Sequence, residues 1–258
     1  MRIVVIGGTG FIGGQVVEQL RAAGHDPVIA APSTGVDTVT GAGLAEAMAG
    51  ADAVVDVSNS PTMDPEGVMA FFSGSARTIA EAEAAAGVRH HVLLSIVGID
   101  LVPNSAYYRA KVAQEEAARS GEVPVTILRS TQFATFGRQI ADWSTVDGRA
   151  SATHDLVQPV APSEVAAEIV RLVVESAPAG IVEIAGPDQL HLDELVRATL
   201  ALLGDDREVD TVDSSPLMGT EGAPEGALTP NPESGHPLTI GRVTWREAVA
   251  EAAQHAAS

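Results

Sequence analysis

The sequence predicts an α/β fold, a doubly wound parallel sheet followed by a small C-terminal lobe. Three observations predict it. Short β-branched runs alternate with longer alanine-rich stretches through the first half of the chain, the pattern of repeated strand–helix–strand units with right-handed crossovers. Several of these runs are continuously apolar, as in Ile3-Val4-Val5-Ile6 and Ala53-Val54-Val55, which is expected of strands covered on both faces. The first strand enters the first helix through a glycine-rich loop, Gly7-Gly8-Thr9-Gly10-Phe11-Ile12-Gly13.

In chain order, residues 2–6 read as a strand, 11–23 as a helix and 27–31 as a second strand. Residues 36–39 are expected to form a short third strand, before a helix from about 43 to 49. The turn Gly50-Ala51-Asp52 leads into a fourth strand over 53–57, and a long helix over 66–86 stops at Gly87, a common C-terminal cap. A fifth strand over 91–95, a helix over 105–119 ending at Gly121, and a sixth strand over 125–129 follow. In the second half, residues 162–175 form a helix with Val165, Ile169, Leu172 and Val173 on its apolar face. Residues 181–184 read as a strand and 192–203 as a helix ending at Gly204. The stretch 214–241 is rich in Gly, Pro, Thr and Ser and is expected to be a long loop or flap. Thr244 and Glu247 are spaced as a capping box for a last helix.

The chain has 258 residues, 45% of them apolar and 3% aromatic, with a net charge of −19. That length and apolar content suit one large domain with a real core and exclude wholesale disorder. With no cysteine, a disulfide framework, an iron–sulfur cluster and a thiol nucleophile are all excluded. The excess of acid repels phosphate backbones and anionic lipid, so no nucleic-acid or membrane partner is expected. The first strand meets Gly7 too soon for a signal peptide, and no apolar run approaches the ~18 residues of a membrane span. A soluble, cytoplasmic protein is expected. The histidines show no metal-ligand spacing, and His90-His91 opens a strand, where neighbours face opposite ways. No metal site is expected, and no Gly-x-Ser-x-Gly elbow marks a hydrolase.

Fourteen of the fifteen basic residues are arginine; the only lysine is Lys111 and the only tyrosines are Tyr107 and Tyr108. Spacings of three and four place either tyrosine beside the lysine on one helical face. An adjacent ammonium would lower a phenol's pKa from its usual ~10 toward a working range, and would also bond a ribose. Guanidinium does not replace a compact ammonium there.

The glycine loop reads as a nucleotide site. Gly7 permits a tight turn, Gly10 a close approach to a pyrophosphate, and Gly13 close packing of helix on strand, with the helix N-terminus facing the phosphates. The loop residues Gly7, Thr9, Gly10, Phe11, Ile12 and Gly13 are therefore the first candidate cofactor-binding set. The second strand ends in Ala30-Ala31-Pro32-Ser33-Thr34, with neither the acid that holds a 2′-hydroxyl nor an arginine for a 2′-phosphate. Ser33 and Thr34 are the local donors, Asp37 a late substitute for the acid, and the balance favours NADP(H) over NAD(H). Ser58-Asn59-Ser60 ends the fourth strand and serves either the nicotinamide ribose or a turn. Ser95 ends the fifth, where a hydroxyl either donates to a substrate carbonyl or caps the strand. Phe133, Phe136 and Trp143 follow the sixth strand and either line an apolar substrate pocket or belong to the core. Met218 would close over that pocket if its segment is a lid.

These features together resemble the short-chain dehydrogenase/reductase superfamily. Within it the chain is most similar to the atypical, NmrA-like reductases, on the GGTGFIG loop, Ser95-Ile96-Val97-Gly98, Tyr107-Tyr108-Arg109-Ala110-Lys111 and Leu128-Arg129-Ser130-Thr131-Gln132-Phe133. The resemblance implies a Rossmann core over residues 1–150 and a substrate-binding portion over 151–258 of one domain. It implies an NAD(P)H-dependent oxidoreductase acting on a carbonyl or quinone-like small molecule. Tyr107 would be the acid/base, Lys111 would lower its pKa and bind ribose, and Ser95 would orient the carbonyl. Tyr108 takes the place of Tyr107 if the helix is rotated. The alternatives are an NmrA-like nucleotide sensor without turnover, and an epimerase or lyase that retains its cofactor.

Overall fold

A computed structural model describes residues 1–214 and 220–256, and the side chains of residues 1–214 and 220–254. In chain order the elements begin with β1 (Arg2–Ile6), α1 (Phe11–Ala22), β2 (Asp26–Ala30), α2 (Leu44–Met48) and β3 (Ala53–Asp56). Then come α3 (Pro65–Ala86), β4 (His91–Ile96), α4 (Ala106–Arg119), β5 (Val125–Ser130) and α5 (Phe136–Ser144). The second half holds β6 (Arg149–Thr153), β7 (Leu156–Val157), α6 (Pro162–Val174), β8 (Gly180–Ala185) and β9 (Leu190–His191). It closes with α7 (Leu192–Leu202), β10 (Glu208–Val212), β11 (Leu238–Ile240) and α8 (Trp245–Ala256).

Seven strands form the central parallel sheet, in the order β11-β8-β5-β4-β3-β1-β2. The chain leaves β1 for β2 on one side and returns to β3 on the other. That reversal creates a switch point at the carboxyl edge, between β1 and β3, where open sheets of this kind take their ligands. Every residue of β3 and β5 is buried, as is β1 from Ile3 onward, which accounts for their unbroken apolar runs. Val4, Ile6 and Val54 meet Leu44, Met48 and Ile79 in one core cluster, and Leu93, Val125 and Ile127 pack with Ala118 in another. α3 is set by local signals at both ends. Asp64 accepts from Gly67 N at 2.9 Å with Pro65 at the first helical position, and Gly87 closes the helix at φ 72°.

The chain divides into two compact units. The first comprises Met1–Ser95, Ala106–Arg129 and Val165–Val182; the second comprises Ile96–Ser105, Ser130–Glu164 and Glu183–Ser258. Within the second, β10 pairs with β6 in parallel and β7 with β9 in antiparallel. Asp193 ties α7 to its neighbours by accepting from Arg197, Thr211 and His154.

Two expectations of secondary structure are corrected. Residues 36–39 form no strand. Asp37 turns its carboxylate onto the amides of Val39 and Thr40, at 2.8 and 3.2 Å, and this Asx turn outcompetes extension. The stretch 214–241 is not all loop: Leu238–Ile240 pairs in parallel with Glu183–Ala185. A three-residue strand whose side chains are all exposed leaves no apolar pattern to read. Met218 lies outside the described residues. Among the described residues, no helix is long and apolar enough to cross a membrane.

Candidate functional site

The glycine loop is closed by backbone against backbone. Gly7 adopts φ +78°, and a Cβ there would stand 2.9 Å from the Val57 carbonyl oxygen just beyond β3. A Cβ on Gly13 would stand 2.1 Å from the Gly7 carbonyl oxygen, so the first turn of α1 lies directly on the end of β1. Gly10 caps α1 without a side-chain hydrogen bond, leaving the amides of the first turn free of a side-chain cap and their dipoles facing the switch point. Thr9 and Phe11 are exposed at this edge. Ile12 is buried, so it offers a ligand only its backbone. Overpacking of the kind a Gly13 side chain imposes costs about 1–3 kcal/mol. Gly13→Ala is expected to lower stability by that amount in a urea melt and to weaken nucleotide binding about tenfold or more in a fluorescence titration.

At the end of β2, Ser33 is exposed, whereas the Thr34 hydroxyl is committed to the backbone of Ile29 and Ala31. Asp37 is committed too. Hydrogen bonds from Val39 N and from Thr40 hold its carboxyl below the usual range, and its oxygen faces its own turn.

Tyr107, Tyr108 and Lys111 open α4. The Tyr107 hydroxyl donates to Asn59 Oδ1 at 2.8 Å, and its ring meets Phe72 edge-on at 5.5 Å. Tyr108 is buried beside it, ring centres 6.3 Å apart. Lys111 is 4% exposed. Its ammonium donates to the Leu94 carbonyl at 2.8 Å and to Gln114 Oε1, and lies 4.8 Å from the Phe72 ring centre. At Tyr107 the shift runs against the expected lowering by Lys111. The ammonium gives two of its donors to Leu94 and Gln114, and burial, with Tyr108 adding to it, pushes the Tyr107 phenol well above its usual value. Burial also pulls Lys111 down to about 8, against the opposing pull of Asp56 and Glu115.

Sequence reading missed two residues beneath this pair. Asp56 is buried at the end of β3, where Oδ1 accepts from Ser58 N at 2.9 Å and Oδ2 from Gln114 Nε2 at 3.1 Å. Their signals were an acid closing an otherwise apolar strand, and a glutamine three residues after Lys111 on the same helical face.

β3 and β4 are adjacent and pair with Asp56 opposite Leu93; Ser58 follows two residues after Asp56, just beyond β3, and Ser95 two residues after Leu93, near the end of β4. Both hydroxyl oxygens are buried and have no hydrogen-bond partner among the described residues. A buried hydroxyl left unpaired costs about 1–3 kcal/mol, which a ligand would relieve. The first unit thus brings together the glycine loop, Ser58, Asn59, Ser95, Tyr107, Tyr108 and Lys111.

Phe133, Phe136 and Trp143 belong to the second unit. Phe133 bridges to Val160, and Phe136 meets Trp143 edge-on at 5.6 Å on α5, with Trp143 49% exposed. Gln132 beside them was not singled out from sequence. It is buried, with neither amide atom hydrogen-bonded among the described residues.

A family model described as NAD(P)H-binding matches residues 7–176. A (4-alkanoyl-5-oxo-2,5-dihydrofuran-3-yl)methyl phosphate reductase of Streptomyces griseus subsp. griseus is 31% identical over 222 residues, covering 78% of this chain and 74% of that protein. Two solved structures share the fold at low identity. One is a short-chain dehydrogenase/reductase superfamily protein from Agrobacterium tumefaciens with bound NAD, at TM-score 0.69 and 19% identity over 100% of this chain and 97% of that one. The other is a dTDP-4-dehydrorhamnose reductase ortholog from Clostridium acetobutylicum, at TM-score 0.72 and 14% identity over 100% of both.

Proposed function

The chain belongs to the NAD(P)H-binding family and is an NAD(P)-dependent oxidoreductase, and on that premise we propose that it reduces a small, electron-poor acceptor. The acceptor is a carbonyl or quinone-like compound, or a carbon–carbon double bond conjugated to a carbonyl, as the name of the Streptomyces griseus relative describes for its own substrate. The observation that carries this reading is the glycine loop, where Gly13 lies on Gly7 so closely that no side chain fits, beside the two unpaired hydroxyls of Ser58 and Ser95.

The residues present suit a nicotinamide dinucleotide. The open N-terminus of α1 would take the pyrophosphate, Ser58 and Lys111 the nicotinamide ribose, and Ser33 the adenosine ribose. No free carboxylate stands at the end of β2, so NADP(H) is favoured over NAD(H). When bound, the nicotinamide supplies the hydride. Lys111 has three N–H donors and gives two of them to Leu94 and Gln114, keeping one for a ligand. Ser95 donates to the acceptor's oxygen. Tyr107 gives its phenolic proton to that oxygen as hydride reaches carbon, so a C=O becomes CH–OH. The raised pKa of Tyr107 keeps the phenol protonated at neutral pH, as a proton donor must be.

The test is direct. NADPH and NADH are titrated against the purified protein, and carbonyls, quinones and conjugated enones are then screened by loss of reduced-nicotinamide absorbance. Tyr107→Phe is expected to lower kcat by about 10²–10⁴-fold, the usual worth of a positioned acid, with Tyr108→Phe within a few-fold of wild type. The reverse ranking transfers the role to Tyr108. Nucleotide binding without turnover on the whole panel would replace this reading with the sensor.

A further inference from the structure

Lys111 and Asp56 are both buried, yet among the described residues no ion pair joins them directly. Between them stands Gln114, itself wholly buried, with Oε1 toward the ammonium and Nε2 3.1 Å from Asp56 Oδ2. A carboxylate in that place would close onto the ammonium and occupy it. A hydrocarbon would strand both charges. The amide satisfies one donor of Lys111 and one acceptor of Asp56 and keeps the two charges apart.

We infer that Gln114 is a positioning residue for Lys111: its amide spaces the ammonium from Asp56, so that two N–H groups are held by the protein and the third remains for a hydroxyl of the bound nucleotide. The same chain of contacts reaches the end of β3. Asp56 fixes Ser58 N, one residue before the Asn59 that receives Tyr107. Gln114 thus couples the seat of the lysine to the turn that holds the tyrosine. The consequence for nucleotide binding rests on the function proposed above; the position of Lys111 does not.

The charged groups around Lys111 are few. Asp56 faces it from β3 and Glu115 from α4. Glu115 is already answered by Arg129 of β5 and by Arg119. Beyond Asp56 lies the His91–Glu83 pair of β4 and α3. Phe72 of α3 and Tyr107 and Tyr108 of α4 complete the surroundings.

Because Lys111 is the only lysine, protein labelled with ¹³C,¹⁵N-lysine gives a single lysine side-chain signal, whose pH titration reads this ammonium alone. In ligand-free wild type it is expected to titrate near 8. Gln114→Glu sets a carboxylate against it and is expected to raise that midpoint by about 1–3 pH units. Gln114→Met, matched in length, removes the acceptor and is expected to lower the midpoint, with about tenfold weaker NADPH binding. A midpoint unmoved in both variants overturns the inference, and Gln114→Met carries the test if Gln114→Glu fails to fold. Since the titration is read without ligand, wild-type protein that binds no nucleotide would defeat the proposed function and leave the role of Gln114 intact.

Discussion

Lys111→Met is expected to lower kcat/KM by about 10²–10⁴-fold while the protein stays folded. Methionine keeps an unbranched stem and removes only the ammonium, which lies 4.8 Å from the Phe72 ring centre. The fold survives because the ammonium is not a source of stability. Its pKa in the folded chain, about 8, lies below the usual 10.5, so burying the charge costs stability below about pH 8. That cost fades as pH rises toward 10.5. The variant removes this penalty and leaves Gln114 Oε1 one donor short, two effects of opposite sign. Lys111→Arg is expected to fail as well, because a planar guanidinium does not fit a seat shaped by Leu94, Gln114 and Phe72. Wild-type activity should fall as pH passes above about 8, where the ammonium loses its proton, and that alkaline limb should vanish from the residual activity of Lys111→Met. Steady-state kinetics across pH check both points. Activity within a few-fold of wild type would remove Lys111 from the mechanism.

The largest stability loss is expected at Glu83, with Glu83→Ala costing about 3–5 kcal/mol near pH 6. Glu83 and His91 are both buried, and His91 Nδ1 lies 3.1 Å from Glu83 Oε2. Burial by itself lowers the His91 pKa, but the charge and hydrogen bond of Glu83, with the charge of Asp56, outweigh it and hold the pKa above 6.5. A histidine raised in the folded state contributes stability that is fully present below its unfolded pKa of ~6.5 and lost as pH rises through the folded value. His90 works the other way. Burial and the neighbouring His91 lower its pKa, so it subtracts stability as pH falls below ~6.5. Comparing wild type with Glu83→Gln reads the contribution of the Glu83 charge, which raises the pKa of both His91 and His90. The difference in urea-unfolding free energy between the two proteins should be largest at acidic pH and shrink as pH climbs above 6.5. A difference independent of pH would show that His91 is neutral throughout.

Much of the fold was legible in the sequence because its signals are local. A glycine that must adopt φ +78°, an aspartate that caps α3 and an apolar run long enough to be buried on both faces each act over a few residues. The elements that escaped reading have weak local signals. β10 exposes most of its side chains, and β11 exists only because Glu183–Ala185 is there to pair with it. Residues 36–39 were misread because apolar and β-branched residues suggest extension, while Asp37 competes for the backbone through its side chain.

The site divides along the same line. Composition and spacing by themselves determined that one lysine and two tyrosines share a helical face in a chain that opens on a glycine-rich strand-to-helix loop, since the helical period and the sterics of glycine are properties of the chain alone. Only the tertiary structure decided what those groups touch. Lys111 turns toward Leu94, seventeen residues away, and toward an amide held by Asp56, which is 58 residues from Gln114. Tyr107 finds Asn59 48 residues earlier. A pKa is set by what surrounds a charge and by how much water is kept out, and both depend on segments that meet only when the sheet has formed.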